Sequence, residues 1–325
     1  MQAILAVTVP FFALVLAGYV AGWRRVLPET AIPGLNAFVL YFALPCMLFR
    51  FGMNTPILDL LNPAVLAVYV VCALAVVFFT ISVTLSRKVG LKDSAFGALV
   101  AAFPNTGFMG VPLLVALLGP AAAGPVICTV LADLFITSSL CIALAQAGDR
   151  VDDPAGGSRA AVVRALRGAI SNPLPWSIAL GALCSVTGFK TSGPIDAVIR
   201  MLGDSATPVA LFTIGTVLWR AGQHAHTRTP AARYVPVALI KLFLHPVLVF
   251  VVGAAAKQLG APLSGFQLMV LTLAAALPSA SNVSLLAERF GADNGRVARI
   301  IMTSTVIAFA SFSLLAFAFG VRPQG

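Results

Sequence analysis

Charge is scarce in this chain: 10% of its 325 residues are Asp, Glu, Lys or Arg, against about 25% in soluble globular domains. With 59% of positions hydrophobic and a mean hydropathy of +0.98, little room is left for a soluble domain. The five cysteines, Cys46, Cys72, Cys128, Cys141 and Cys184, lie in apolar stretches without CxxC or CxxH spacing. That argues against a structural metal site or a disulfide framework. HExxH, GxSxG and the P-loop are absent, as is GxGxxG in a strand–helix context, so no enzyme pattern competes and no cofactor is expected. ATP-driven work would need a partner subunit. The net charge of +10 would suggest nucleic acid in a soluble protein. Here no nucleic-acid partner is expected, because loop charge that sets membrane topology accounts for it.

What the chain does have is long apolar runs. A membrane-spanning helix needs about 20 such residues. Ten candidates appear, at 3–22, 31–53, 62–85, 93–118, 121–146, 172–189, 195–219, 232–256, 262–288 and 295–320. The expected fold is therefore an all-α polytopic membrane protein with ten crossings, embedded in the lipid bilayer. Residues 3–22 follow no basic region, and Arg24 and Arg25 come after them, so a retained first helix is expected rather than a cleaved leader. Fifteen of the 21 Lys and Arg residues fall in odd-numbered loops, among them Arg87, Lys88, Arg220, Arg233, Arg289 and Arg296. The positive-inside rule then places the odd loops in the cytoplasm and both termini outside the inner membrane. Trp23 and Trp219 fall at the cytoplasmic helix ends, where interfacial anchors belong.

The one long loop, 147–171, reads as a cytoplasmic linker whose second half suits a short basic surface helix through Arg159, Arg164 and Arg167. It divides the chain into halves of five helices each, 1–146 and 172–325. Short matches relate the halves: "ALPCMLF" (43–49) to "ATPVALF" (206–212), and "AFPNTGFMGVPLL" (102–114) to "ALPSASNVSLLAE" (276–288). Pro104 and Pro278 are 174 residues apart, and at that offset Ile127 meets Ile301 and Thr129 meets Thr303. An odd number of helices per half inverts the second half in the membrane, which is a secondary-transporter signature.

The stretch "FPNTGFMGVPLL" (103–114) explains itself in that frame. Pro104 and Pro112 each remove an N–H, and Gly107 and Gly110 weaken what remains, so this helix is broken near its centre. Backbone at membrane depth stays unpaired only where it is buried in protein or lines a cavity. Two broken helices crossing near the midplane would aim N–H and C=O groups at a common site, and half-helix N-termini attract an anion. Asn105 and Asn282 supply amides at the two breaks, with Thr106, Ser279 and Ser281 beside them. These amides are read as capping the half-helices and binding substrate. Pro45 and Pro208 are a second pair, either ordinary kinks or a loosening of helices that face the site.

Asp133 and Lys241 lie deep in the fifth and eighth helices, where a charge costs about 2.5–3.5 kcal/mol on insertion scales. They are expected to pair with each other, either as a structural neutralisation or as groups of which one or both titrate or pair with substrate during transport. His245, one turn from Lys241 on the same face, belongs with them. Arg50, near the outer end of the second helix, is expected to snorkel to the surface.

The segments "LAGYVAGWRRVLP", "FVLYFALPCMLF", "FPNTGFMGVPLL", "NPLPWSIALGALC", "ATPVALFTIGTVL" and "LPSASNVSLLAERFGAD" together resemble the auxin efflux carrier family, over essentially the whole chain. They are most similar to its bacterial members regarded as malonate or related organic-anion transporters. The resemblance implies a fold like that of bile-acid symporters, with helices four and nine crossing. A mobile core of helices 3–5 and 8–10 would move against a scaffold of helices 1, 2, 6 and 7. It also implies an asparagine beside the proline of the crossing, at Asn105, and a homodimer through the scaffold. Asn282 lies four residues beyond Pro278, a departure that weakens its part of the correspondence. The long cytoplasmic loop of plant members is missing here. The function implied is transport of a small carboxylate driven by a proton gradient or by the substrate's own gradient. A sodium-coupled symporter of the bile-acid type is the alternative within the fold, and a membrane-embedded sensor or enzyme the alternative outside it.

Overall fold

The computed structural model describes residues 1–55, 62–148, 172–223 and 229–322, and every regular element among them is helical. In chain order these are α1 (Gln2–Trp23), α2 (Ala31–Asn54), α3 (Pro63–Thr84), α4 (Leu91–Ala102), α5 (Thr106–Leu118) and α6 (Pro120–Ala147). They continue with α7 (Pro173–Thr187), α8 (Gly193–Gln223), α9 (Val235–Gln258), α10 (Gly265–Ala275), α11 (Asn282–Arg289) and α12 (Asn294–Ala318). Seven of them, α1, α2, α3, α6, α8, α9 and α12, are long and apolar enough to cross a membrane. The expected runs 93–118 and 262–288 are each split into two shorter helices, α4 with α5 and α10 with α11. The expected linker lies outside the described residues from 149 on, and with it Arg159, Arg164 and Arg167.

Helix starts follow local chemistry. Asn62 accepts from the Ala64 and Val65 amides at 2.9 and 3.2 Å, with Pro63 opening α3. Asn172 accepts from the Leu174 amide at 3.0 Å, and Pro173 opens α7. In both cases the cap satisfies an orphan donor, and proline occupies the first turn, where no N–H is missed. Ser264 and Gln267 form a reciprocal capping box at α10. Asp293 caps α12 through the Arg296 amide at 2.9 Å. Gly119, with φ +86°, makes the sharp joint between α5 and α6 that a residue with a Cβ would resist.

Two pairs of helices meet backbone to backbone through glycine. A Cβ built on Gly18 of α1 would strike the Phe212 carbonyl of α8, and one on Gly215 would strike the Val15 carbonyl. A Cβ on Gly52 of α2 would lie 2.7 Å from the Ile178 carbonyl oxygen of α7, and one on Gly181 would strike the Phe49 carbonyl. Small residues at such contacts let apolar helices approach where lipid offers no hydrophobic drive. The same 163 residues separate Gly18 from Gly181, Gly52 from Gly215, and Pro45 from Pro208.

The other helices enclose the buried centre. α4 is buried from Ser94 to Ala102, and α10 is buried on nearly every side beyond Met269. Connections rich in basic residues are tied together at one end. Arg220 reaches Glu29 at 2.9 Å and Glu288 at 3.9 Å. Asp93 accepts from the Asp293 amide at 2.8 Å, and the buried Arg296 donates to the carbonyls of Asp93 and Arg233 at 2.9 and 3.0 Å. Elsewhere, Asn62 donates to the Pro262 carbonyl at 3.4 Å, joining the start of α3 to the turn before α10.

Candidate functional site

α4 ends at Ala102 because Pro104 follows. Phe103, the residue before that proline, is held extended at φ −99°, ψ 95°. α10 ends at Ala275, three residues ahead of Pro278. The two interruptions meet inside the protein. The Asn105 amide donates to the Pro278 carbonyl at 2.8 Å, and the Ala280 amide to the Phe103 carbonyl at 3.0 Å. Pro104 and Ser279 thereby form an isolated antiparallel bridge. This corrects part of the expectation: these backbone groups satisfy each other rather than facing a ligand, because two proline breaks laid side by side supply complementary donors and acceptors. The Ser279 amide is likewise taken, by Ser304 Oγ at 3.1 Å, and the Thr106 amide by the Pro104 carbonyl at 2.8 Å.

What the crossing leaves open is side chains. Asn105 is 2% exposed, yet its amide makes no capping bond to α5. Asn282 Oδ1 and Ser279 Oγ are buried without a hydrogen-bond partner. Ser281, also buried, does not cap α11. The expected capping role is thus unfilled at both breaks. Thr106 is buried, with its hydroxyl 3.5 Å from the Pro104 carbonyl. A Cβ added at Gly107 would meet nothing within 4 Å, so the chain borders open space there. Gly110, one turn on, is instead packed against Leu277.

Pro45 and Pro208 do not repeat this break. Pro45 stands in the first α-turn after a π-turn (Val39–Ala43) within α2, and Pro208 lies on an exposed side of the continuous α8.

A second polar group lies entirely inside. Tyr69, Asp133, Lys241 and His245 are all 0% exposed. The Tyr69 hydroxyl donates to Asp133 Oδ2 at 2.8 Å, and Thr137 Oγ1 donates to Oδ1 at 3.1 Å. Lys241 Nζ donates to the carbonyl of Ala275, the last residue of α10, and lies 3.4 Å from His245 Nδ1. The rings of Tyr69 and His245 are 5.8 Å apart and complete the chain of contacts, while His245 Nε2 has no partner. Lys241 and His245 are joined as expected, but the direct Asp133–Lys241 ion pair is not formed: among the described residues no N···O contact within 4.0 Å links them. Asp133 is engaged by two hydroxyls instead. The ammonium is drawn to a carbonyl orphaned where α10 stops, at the negative end of that helix. Asp133 and Lys241 also sit in π-turns, Asp133–Thr137 and Ile240–Leu244, a local widening common at functional positions.

Arg50, expected to snorkel, makes an exposed ion pair with Asp204 of α8 at 2.7 Å. Sequence reasoning missed Tyr69 and Thr137. A tyrosine in the middle of an apolar helix was the available signal, because a buried phenol hydroxyl needs a partner.

Irregular backbone at membrane depth has to be enclosed by protein or line a water-filled path. Interrupted helices meeting around unpartnered amides therefore place the chain in the class of polytopic membrane transporters. The chain belongs to the family described as membrane transport protein, whose model matches residues 3–316; this is the auxin efflux carrier family. It is 29% identical over 320 residues to a protein of Rhizobium meliloti (strain 1021) named "Putative malonate transporter", covering 96% of this chain and 94% of that one. It is 25% identical over 312 residues to the uncharacterized transporter YfdV of Escherichia coli (strain K12), covering 95% and 92%. An uncharacterized transporter of Methanothermobacter thermautotrophicus is 24% identical over 303 residues, covering 93% of each.

Proposed function

We propose that this protein is a secondary active transporter that moves a small organic anion, a malonate-like carboxylate, across the inner membrane by alternating access. The meeting of the two breaks carries the reading: Asn105 and Asn282, with Thr106, Gly107, Ser279 and Ser281, surround a point where two half-helices begin. Helix N-termini favour negative charge, and amide side chains left without capping duties can donate to a carboxylate. The name of the Rhizobium relative supports the substrate class.

In this reading the chain crosses the membrane ten times, α4 with α5 and α10 with α11 each counting as one crossing. The two halves are inverted repeats. Gly18 faces α8 near Gly215, and Gly52 faces α7 near Gly181. The 163-residue offset exchanges one contact for the other, as an axis in the membrane plane would. α3–α6 and α9–α12 form the moving body, and α1, α2, α7 and α8 the scaffold. A fixed ammonium at Lys241 holds the end of α10 where a sodium-coupled protein would use a bound ion, so transport is driven by protons or by the substrate gradient.

Uptake of labelled malonate and other mono- and dicarboxylates into proteoliposomes, with and without sodium, tests this. Substrate-specific uptake that needs no sodium and vanishes in Asn105→Ala is the expected result. Steep sodium dependence would favour the sodium symporter. No movement of any carboxylate would return the sensor or enzyme reading.

A further inference from the structure

A cavity of about 180 Å³ lies between the C-terminal end of α8 and the second and third turns of α12. Its lining includes Leu218 and Gly222 of α8, Tyr234 ahead of α9, and Arg299, Met302 and Thr303 of α12. That is several times the roughly 30 Å³ share of a water molecule. A Cβ added at Gly222 would meet nothing within 4 Å, so the space continues beside the end of α8.

Arg299 is the charge in this cavity, and it is held differently from Arg220 and Arg296. Arg220 has two carboxylates in reach, and Arg296 is fastened to two carbonyls. Arg299 has no carboxylate within 4.0 Å among the described residues; its guanidinium lies 5.9 Å from the Tyr234 ring, and its buried Nε has no hydrogen-bond partner. A guanidinium placed against an aromatic face keeps its fork of donors for a planar or tetrahedral anion. The apolar surroundings decide which anion. From the cavity, Met302, Val306 and Phe309 run along α12 at helical spacing, 37%, 71% and 39% exposed. They form an apolar track about 10 Å long leading away from the cation on a face that a multi-pass protein turns to hydrocarbon.

We propose that this cavity binds the phosphate headgroup of an anionic phospholipid, with Arg299 as its charge partner and the Met302–Val306–Phe309 track carrying an acyl chain. Basic pockets between helices near the membrane surface take such headgroups. Arg299 stands in the second turn of α12, at the end of the molecule where the basic connections gather. The site adds a lipid ligand to a protein whose transport reading concerns soluble anions, and it stands whether or not that reading holds.

The test is thermal unfolding of delipidated full-length protein in detergent, titrated with phosphatidylglycerol, phosphatidylcholine, inorganic phosphate or malonate. Native mass spectrometry would count bound lipids. Phosphatidylglycerol should raise Tm and give one retained lipid, whereas phosphatidylcholine should do neither. Arg299→Gln should weaken the phosphatidylglycerol effect about tenfold. Gly222→Leu, which keeps the charge and fills open space, should do the same if Arg299→Gln proves too unstable to purify. A full phosphatidylglycerol response in either variant, or an equal response to phosphatidylcholine, would overturn the site. An equal response to phosphate or malonate that Arg299→Gln removes would make it a soluble-anion site and overturn the lipid assignment.

Discussion

Asn105 occupies the first position after Pro104, is 2% exposed, and spends no side-chain bond on capping α5. An amide held in that way is available to a ligand, and a hydrogen bond to a charged group is worth about 1.5–3 kcal/mol. Asn105→Ala should therefore weaken carboxylate binding by roughly 10- to 150-fold, with Tm little changed, as read by calorimetry and thermal unfolding. Asn282→Ala should act in the same direction more weakly, because Asn282 sits farther from its proline. Wild-type affinity in Asn105→Ala would move the binding site elsewhere. The buried cluster permits a separate test. Tyr69 gives Asp133 one of its two donors, so Tyr69→Phe leaves that carboxyl short of a partner, at a cost of about 1–3 kcal/mol. Lys241→Met should cost more, about 3–5 kcal/mol as for other broken buried charge interactions, since the Ala275 carbonyl is stranded and the charge opposing Asp133 is removed. Adding Asp133→Asn should recover only part of that loss, because no direct ion pair joins the two. Full recovery of Tm in the double variant would show that charge balance alone, without the tether to α10, is what Lys241 contributes.

The helices themselves were legible from apolar runs bounded by caps such as Asn62–Pro63 and Asn172–Pro173. The partner of each helix was not, because a membrane helix is apolar on nearly every face, and periodicity that marks a core side in soluble proteins fades. Glycines carried that information instead: Gly18 and Gly215, Gly52 and Gly181 fix which helices touch. The crossing was legible as two proline breaks, whereas the hydrogen bonds between them depend on a register that no composition reveals. Gly215 and Gly107 make the contrast testable. Gly215→Ala places a methyl against the Val15 carbonyl, which cannot rotate away, so overpacking of about 1–3 kcal/mol is expected. Gly107→Ala meets open space and removes backbone freedom, so Tm should hold or rise by the equivalent of up to about 1 kcal/mol. Its methyl nevertheless enters the space beside Asn105, and uptake should fall. If Gly107→Ala leaves uptake unchanged, the open space there is not part of the substrate path.

At the scale of the molecule, the deep charges were visible in the sequence, but their partners were not: Asp133 is held by hydroxyls and Lys241 by a helix-end carbonyl, neither marked by any charge pattern. The charge pattern of the loops proved more informative. Glu29, Asp93, Arg220, Arg233, Glu288, Asp293 and Arg296 lie in four connections or in the helix turns beside them, a set that ten alternating crossings would bring to one side, and the bonds among them tie those connections in two groups. Asn62 and Pro262, from two connections of the other set, bond to each other. Lys88, between α3 and α4, belongs to the first set, and Lys190, between α7 and α8, to the second; both are exposed. Because basic loops are retained in the cytoplasm, a cysteine at Lys88 should resist a membrane-impermeant maleimide in intact cells and react after the membrane is opened. A cysteine at Lys190 should react from outside in both conditions. The comparison needs a background with the five native cysteines replaced, since Cys46 and Cys184 are only half-buried. Labelling of Lys88→Cys alone would reverse the orientation and set the positive-inside argument aside, while equal labelling of both would break the alternation on which ten crossings rest.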